Sequence, residues 1–81
     1  MRVDKFLKVS RIIKRRTVAN DACDTERISV NGRVVKASYQ VKVGDVIEVG
    51  FGARTLKVRV LDVSETVKKA DATALYEVIS Q

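Results

Sequence analysis

The apolar positions at the start of the chain recur with a helical period. Val3, Phe6, Leu7, Val9 and Ile13 fall within one arc when successive residues are set about 100° apart, which predicts a helix over Val3 to Ile13 with one apolar face. Asp4, Lys8, Arg11 and Arg15 follow the opposite side at i, i+4, i+7 and i+11, a spacing that predicts one charged strip facing solvent. Lys14, Arg15 and Arg16 then interrupt the apolar period. Thr17 is the expected N-cap of a second helix running to about Thr25, with Val18, Ala19, Ala22 and Cys23 facing inward.

From Ile28 the period changes to two. The stretch RISVNGRVVK sets β-branched residues on both sides of Asn31-Gly32, a pair suited to the positive φ angles of a type I′ turn. It predicts a hairpin with Val30 opposite Arg33 and Ile28 opposite Val35. A second turn is expected at Gly44-Asp45, followed by a strand from Val46 to Val49. GFGA reads as a loop. RTLKVRVLDV alternates Leu56, Val58 and Val60 inward with Lys57 and Arg59 outward. Asp71 to Leu75 is compatible with a helical turn and Tyr76 to Ile79 with a closing strand, although the apolar spacing there does not decide between helix and strand. The class expected is α+β: two N-terminal helices packed on a small curved, mostly antiparallel sheet. The pattern shows no repeat, linker or proline, so residues 1–81 are expected to form one domain, with its core in residues 1–50 and additional strands and a short C-terminal element in 51–81.

Composition narrows the function classes. A chain of 81 residues buries only about 60% of the surface it exposes when unfolded, so its core is thin. No apolar run approaches the ~20 residues that span a bilayer, and the charged N-terminus lacks the features of a secretory leader, so a cytoplasmic address is expected. Cys23 is the sole cysteine and histidine is absent, which removes the internal disulfide, the usual zinc sites and the usual bases for a cysteine or serine nucleophile. Cys23 is expected to be a small buried apolar residue. Asp21 and Asp24 are best explained as a solvated helix face. The G-x-G of GFGAR lacks the third glycine and the strand-to-helix setting of a nucleotide loop. The chain is therefore not expected to be an enzyme or to carry a cofactor or metal.

The net charge of +6 is informative through its placement. Residues 1–16 carry Arg2, Lys5, Lys8, Arg11, Lys14, Arg15 and Arg16 against Asp4 alone, whereas the remaining 65 residues carry nine bases and nine acids. Placing the whole imbalance in one fifth of the chain describes a site for a polyanion. Like charges at i, i+3 and i, i+4 repel, so the strip costs local stability. Cations spaced along one face and into a helix junction match repeating phosphates. Asp4 is expected to cap the first helix and to orient Lys8 or Arg11. A DNA recognition helix would have to protrude from the core, and neither helix is free to do so. The four aromatic residues form no cluster in sequence that would stack single-stranded bases. Structured RNA, recognised by shape and backbone, is the partner these residues favour. An anionic membrane is disfavoured because the apolar arc is committed to the core and lacks tryptophan. An acidic protein surface is the stronger rival.

The segments RVDKFLKVSRIIKRRTVANDAC and ISVNGRVVKASYQVKVGDVIEV together resemble the RNA-binding domain named after small-subunit ribosomal protein S-four, over residues 1 to about 50. The shared pattern is R-hydrophobic-D-x-x-L, a basic helix junction, a second helix, V-N-G and G-D-x-I. Within that family, DKFLKVSRIIKRRTVAN and VNGRVVKAS are similar to the short stand-alone RqcP (YabO) type and, more distantly, to the small heat-shock-induced ribosome-associated type. The resemblance implies a non-enzymatic role in ribosome-associated quality control. Such a protein would bind ribosomal RNA and tRNA or peptidyl-tRNA on stalled large subunits and support an RqcH-type factor that adds C-terminal alanines to the nascent chain. A monomer is expected. Carried over by position, Arg2, Asp4, Lys5, Lys8, Arg11, Arg15 and Arg16 are expected to contact RNA or to organise that contact, with Arg33 beside Asn31-Gly32 as a weaker addition; Lys14 joins this RNA-binding set from the basic junction. Two departures stand out. Glu26 occupies a position where the family commonly has glycine, so either a left-handed non-glycine or a different helix end is expected. Lys36-Ala37-Ser38 replaces a segment where proline is frequent.

Overall fold

The computed structural model describes residues 1–63 and 75–80. Two helices, α1 (Val3–Val9) and α2 (Arg16–Asp24), precede five strands: β1 (Ile28–Val30), β2 (Arg33–Val34), β3 (Val46–Phe51), β4 (Arg54–Val60) and β5 (Tyr76–Ser80). The strands form one open antiparallel sheet in the order β2-β1-β3-β4-β5. α1 packs on α2 and α2 on β1. Val3, Phe6 and Leu7 of α1 and Ala19, Ala22 and Cys23 of α2 share a core with Ile28, Val30, Ile47, Val49, Val58 and Val60 of the sheet. The α+β expectation is met, and Tyr76 to Ile79 is indeed strand. The helical turn expected at Asp71 to Leu75 lies outside the described residues except for Leu75, which is buried.

The first helix is shorter than its apolar period suggests. It ends at Val9, and Arg11 takes the left-handed conformation with φ 65°. The Ser10 hydroxyl donates to the Leu7 carbonyl, and the Arg11 and Ile13 amides donate to the Lys8 and Leu7 carbonyls. Carrying the helix on would have stacked Lys8, Arg11 and Arg15 on successive turns. Ending it leaves Lys8 in the last turn and Arg11 just beyond, where cations meet the negative end of the helix dipole. Ile13 still reaches the core, but from the connecting segment. The continuous charged helix face is thereby corrected: Asp4 is buried, and Arg11, Lys14 and Arg15 lie beyond α1. α2 begins one residue before Thr17; Arg15 is its N-cap, and no side chain caps it. Val18, expected inside, is 51% exposed.

α2 ends in a Schellman motif. Glu26 at φ 62° donates its amide to the Cys23 carbonyl, and the Arg27 amide donates to the Ala22 carbonyl. The non-glycine residue thus keeps the left-handed position. Asn31 (φ 53°) and Gly32 (φ 83°) make the expected turn, with Val30 opposite Arg33 and the Val35 amide donating to the Ile28 carbonyl. GFGA is less of a loop than expected: Gly50 and Phe51 belong to β3, and only Gly52-Ala53 turn the chain.

The N-terminus of α1 is fixed by the segment after β2. The Val3 amide donates to the Tyr39 carbonyl at 2.7 Å, the Asp4 amide to the Ala37 carbonyl at 3.4 Å, and the Val41 amide to the Met1 carbonyl at 2.8 Å. Amides that a helix leaves unpaired in its first turn therefore find acceptors in the chain beside it. These bonds set the position of Asp4.

Candidate nucleic-acid interface

Asp4 is the only acid among the first 16 residues, and its carboxylate is 98% buried. Its two oxygens are both doubly engaged. Oδ1 accepts from the Lys5 amide at 2.8 Å and lies 3.2 Å from Arg2 Nε. Oδ2 accepts from Arg2 Nη2 at 3.3 Å and from Arg16 Nε at 3.4 Å. Four donors match the roughly four lone-pair sites of a carboxylate. Arg2 is held by both oxygens in the bidentate manner its planar fork allows. Arg16 donates to the carboxylate through Nε alone, so neither of its Nη groups is taken by Asp4.

Burial by itself would raise the Asp4 carboxyl pKa. The Lys5 amide, the hydrogen bond from Arg16 and the charges of Arg16 and Arg2 outweigh that effect, and the carboxyl is held below its ordinary value of 3.8. The acid is thus ionised throughout the physiological range, and the cluster carries two cations on one anion. Arg2 and Arg16 remain 43% and 48% exposed. Together with Thr17, Asn20 and Asp21 they line a shallow hollow over the carboxylate. The arrangement turns two flexible arginines, from the starts of two different helices, into a fixed pair of donors.

Lys5 joins this cluster through its amide, and Lys8, Arg11, Lys14, Arg15 and Arg33 are not part of it. Lys5 is half-buried in α1, and Lys8 is exposed in its last turn. Arg11, Lys14 and Arg15 are exposed along the α1–α2 connection, and Arg15 leads directly into Arg16. Arg33 stands exposed on the edge strand β2 and makes no contact with Asp4. Asp4 orients Arg2 and Arg16 rather than Lys8 or Arg11. It does so because the helix stops before Arg11 and because Arg16, as the first residue of α2, reaches back across the junction. Asp4 does not cap α1: Arg2 holds the N-cap position with no side-chain cap, and Asp4 accepts the Lys5 amide from within the first turn.

Asn31 and Asp45, which sequence reasoning treats as turn residues, hold the sheet end together. Asp45 is 8% exposed and accepts from Asn31 Nδ2 at 3.1 Å, the Tyr39 hydroxyl at 3.0 Å and the Lys42 amide at 3.0 Å. Asn31 Oδ1 in turn accepts from the Val46 amide at 3.0 Å. Tyr39, whose carbonyl receives the Val3 amide, connects this network to the start of α1. Cys23 is buried and free, and desolvation, aided by the charges of Asp4 and Asp24, pushes its thiol up to about 11. A thiol so rarely ionised is no nucleophile.

The spacing of R-V-D, the basic junction, V-N-G and G-D is therefore the spacing of one interlocked structure, and the S4 domain family matches it over residues 1–47. A Streptococcus pneumoniae protein named RQC P-site tRNA stabilizing factor is 53% identical over 81 residues, covering 100% of this chain and 92% of that one. The chain belongs to the S4-domain family, among the RQC P-site tRNA stabilizing factors. A Bacillus subtilis member of the same name is 48% identical over 81 residues, covering 100% of this chain and 94% of that one. The trimeric structure of Vibrio cholerae Heat Shock Protein 15 superposes with a TM-score of 0.89 at 25% identity, covering 99% of this chain and 82% of that chain. The S4 resemblance read from the first half of the sequence is borne out, as are the affinity to the quality-control type and the more distant one to the heat-shock type. No helix among the described residues is long and apolar enough to cross a membrane.

Proposed function

We propose that this chain binds P-site tRNA and large-subunit ribosomal RNA on obstructed ribosomes, as a non-catalytic factor of ribosome-associated quality control. In this role it supports an RqcH-type factor that adds alanines to the stalled nascent chain. One observation carries the reading: a saturated, buried carboxylate fixes Arg2 and Arg16 on the surface that holds the whole net charge of the protein. Its relatives' name supplies the tRNA and the process, and the cluster supplies chemistry suited to RNA phosphates. Lys5, Lys8, Arg11, Lys14 and Arg15 extend the contact along the backbone, and Arg33 adds a peripheral one. The chain works in the cytoplasm, as a monomeric RNA-binding unit without cofactor.

Co-sedimentation with large subunits tests the proposal. Arg16→Ala is expected to weaken association with subunits carrying peptidyl-tRNA and to reduce alanine-tail addition. Lys57→Ala, which removes the same charge from the Lys57–Glu48 pair on β4 and β3, is expected to leave both nearly unchanged. Equal losses would show a diffuse polycation, and the positioned-site reading would fail.

A further inference from the structure

Phe51 is 47% exposed at the end of β3, directly opposite Arg54 across the Gly52-Ala53 turn. Several aliphatic residues are as exposed, but among the described residues Phe51 alone of the strongly exposed apolar ones offers an aromatic face. The ring lies between two hollows. On one side a groove of about 520 Å³ runs to the α1–α2 connection and is lined by Ile12, Lys14, Val18, Asp21 and Arg27 as well as Phe51. On the other side Phe51 borders a hollow shared with Arg54 and Lys57. Val18, the other strongly exposed apolar residue of the groove, projects from α2.

We propose that this groove is a second RNA subsite that takes one unstacked nucleobase, with Phe51 as the stacking surface, Val18 and Ile12 as the apolar walls, and Lys14, Arg27 and Arg54 as anchors for the flanking phosphates. Three features favour a nucleobase. Lys14 and Arg27 outnumber Asp21 along the groove, and Arg54 and Lys57 outnumber Glu48 in the hollow beyond Phe51, so an anionic chain is attracted. An aromatic ring beside arginines is the chemistry by which proteins hold splayed bases, since every base has a face to stack. The groove adjoins the arginine pair: Lys14 lies in it, Arg16 two residues later is bound to Asp4, and Asp21 borders both the groove and the hollow over Asp4, so a strand crossing the first turns of α2 meets both. The phosphate cluster then sets where the RNA lies, and Phe51 selects an element with an unpaired nucleotide. The inference rests on the RNA-binding reading above.

The test uses the full-length protein and two stem-loop RNAs that differ at one bulged position, which holds 2-aminopurine in one and an abasic sugar in the other. The wild-type protein is expected to bind the bulged-base RNA at least about fivefold more tightly than the abasic one and to quench its fluorescence. Phe51→Leu, which keeps the apolar surface without the ring, is expected to erase the preference and the quenching while binding the abasic RNA as before, with its thermal midpoint unchanged. Phe51→Trp is expected to restore both. A Phe51→Leu protein that keeps the preference and the quenching, or a wild-type protein that binds both RNAs equally, overturns the base subsite and leaves the arginine cluster standing. If Phe51→Leu binds both RNAs normally but no longer assembles with a purified tailing factor on large subunits, the groove belongs to a protein partner and the inference is overturned. Failure of the wild-type protein to bind either RNA, or large subunits, overturns this inference together with the RNA-binding reading.

Discussion

Asp4→Asn separates an organised site from a basic surface, because charge and geometry then predict opposite signs. The substitution keeps the size of the side chain and can keep an oxygen at the Oδ1 position, where the Lys5 amide and Arg2 Nε find it. An amide nitrogen then takes the place of Oδ2, facing Arg2 Nη2 and Arg16 Nε, donor against donor. Both arginines are nearly half exposed, so each lost contact is worth about 0.5–1 kcal/mol after solvent screening. A cost of roughly 1–2 kcal/mol follows, or a fall of about 4–15 °C in midpoint for a domain of this size. The larger effect is on binding. Arg16 loses its tether, and ordering a free, rotamer-rich side chain costs about 0.5–1.5 kcal/mol, which corresponds to a twofold to tenfold weaker complex. Net charge meanwhile rises from +6 to +7, which would tighten any purely electrostatic association. Fluorescence titration against large subunits carrying peptidyl-tRNA, at a temperature where both proteins are folded, measures the outcome. The same change in an Arg16→Ala background is expected to cost less affinity than in the wild type, because what remains of the Asp4 effect then acts through Arg2 alone. A folded Asp4→Asn protein that binds as well as the wild type, or better, refutes the reasoning.

Affinity for occupied subunits is expected to fall with salt on a log–log slope of roughly −3 to −6, the range for four to seven phosphate contacts; a slope near zero would remove the phosphate role. Glu26→Gly is expected to stabilise the fold by about 0.5–1 kcal/mol, read from denaturant midpoints, because the left-handed C′ position of α2 suits glycine. The Asp4 carboxyl is lowered in the folded state. Its contribution is therefore present above about pH 4 and lost as pH falls through the folded value, so the stability gap between wild type and Asp4→Asn should close in acid. Tyr39 is raised, first by its hydrogen bond to Asp45; its contribution is present below about pH 10 and lost as pH rises through the higher folded value. Ultraviolet titration should accordingly show a late-ionising tyrosine that Tyr39→Phe removes.

The sheet was legible because its signals are local. Asn31-Gly32 dictates a turn type, and alternating β-branched residues dictate a face, so the register at Val30 and Arg33 follows from the sequence alone. The end of α1 was not legible, because periodicity counts apolar spacing and Ile13 satisfies it from outside the helix. Val18 misled for a related reason: its place on the helical arc is right, but it borders an open groove beside β3 and stays 51% exposed. At the site, charge placement pointed to the first sixteen residues but not to how their side chains pair. Lys8, Arg11 and Arg15 share a spacing with Asp4, whereas Arg16, twelve positions away, shares a carboxylate with it. Only the path of the connection, which returns the start of α2 to the start of α1, brings that pair together. Phe51 carried no signal in sequence, since one aromatic in a glycine-rich turn stands out only when the groove beside it can be seen.

The network around Asp45 and the cluster around Asp4 are linked through Tyr39. The Tyr39 hydroxyl bonds Asp45, and its carbonyl accepts the amide of Val3, the residue before Asp4. The turn residues of the sheet thus bear on the angle at which α1 leaves the N-terminus, and so on the place where Arg2 and Arg16 meet. Asn31→Ala should therefore weaken RNA binding although Asn31 carries no charge. It leaves Val46 without its side-chain acceptor and Asp45 with one donor fewer, a loss of about 1–3 kcal/mol in stability, part of it transmitted to the start of α1. Hydrogen exchange locates the effect. Faster exchange at the Val3 and Asp4 amides, in protein that remains globally folded, would show that the sheet end supports the arginine pair. Unchanged exchange there, with weakened protection confined to Val46 and its neighbours, would show that the two networks are mechanically independent.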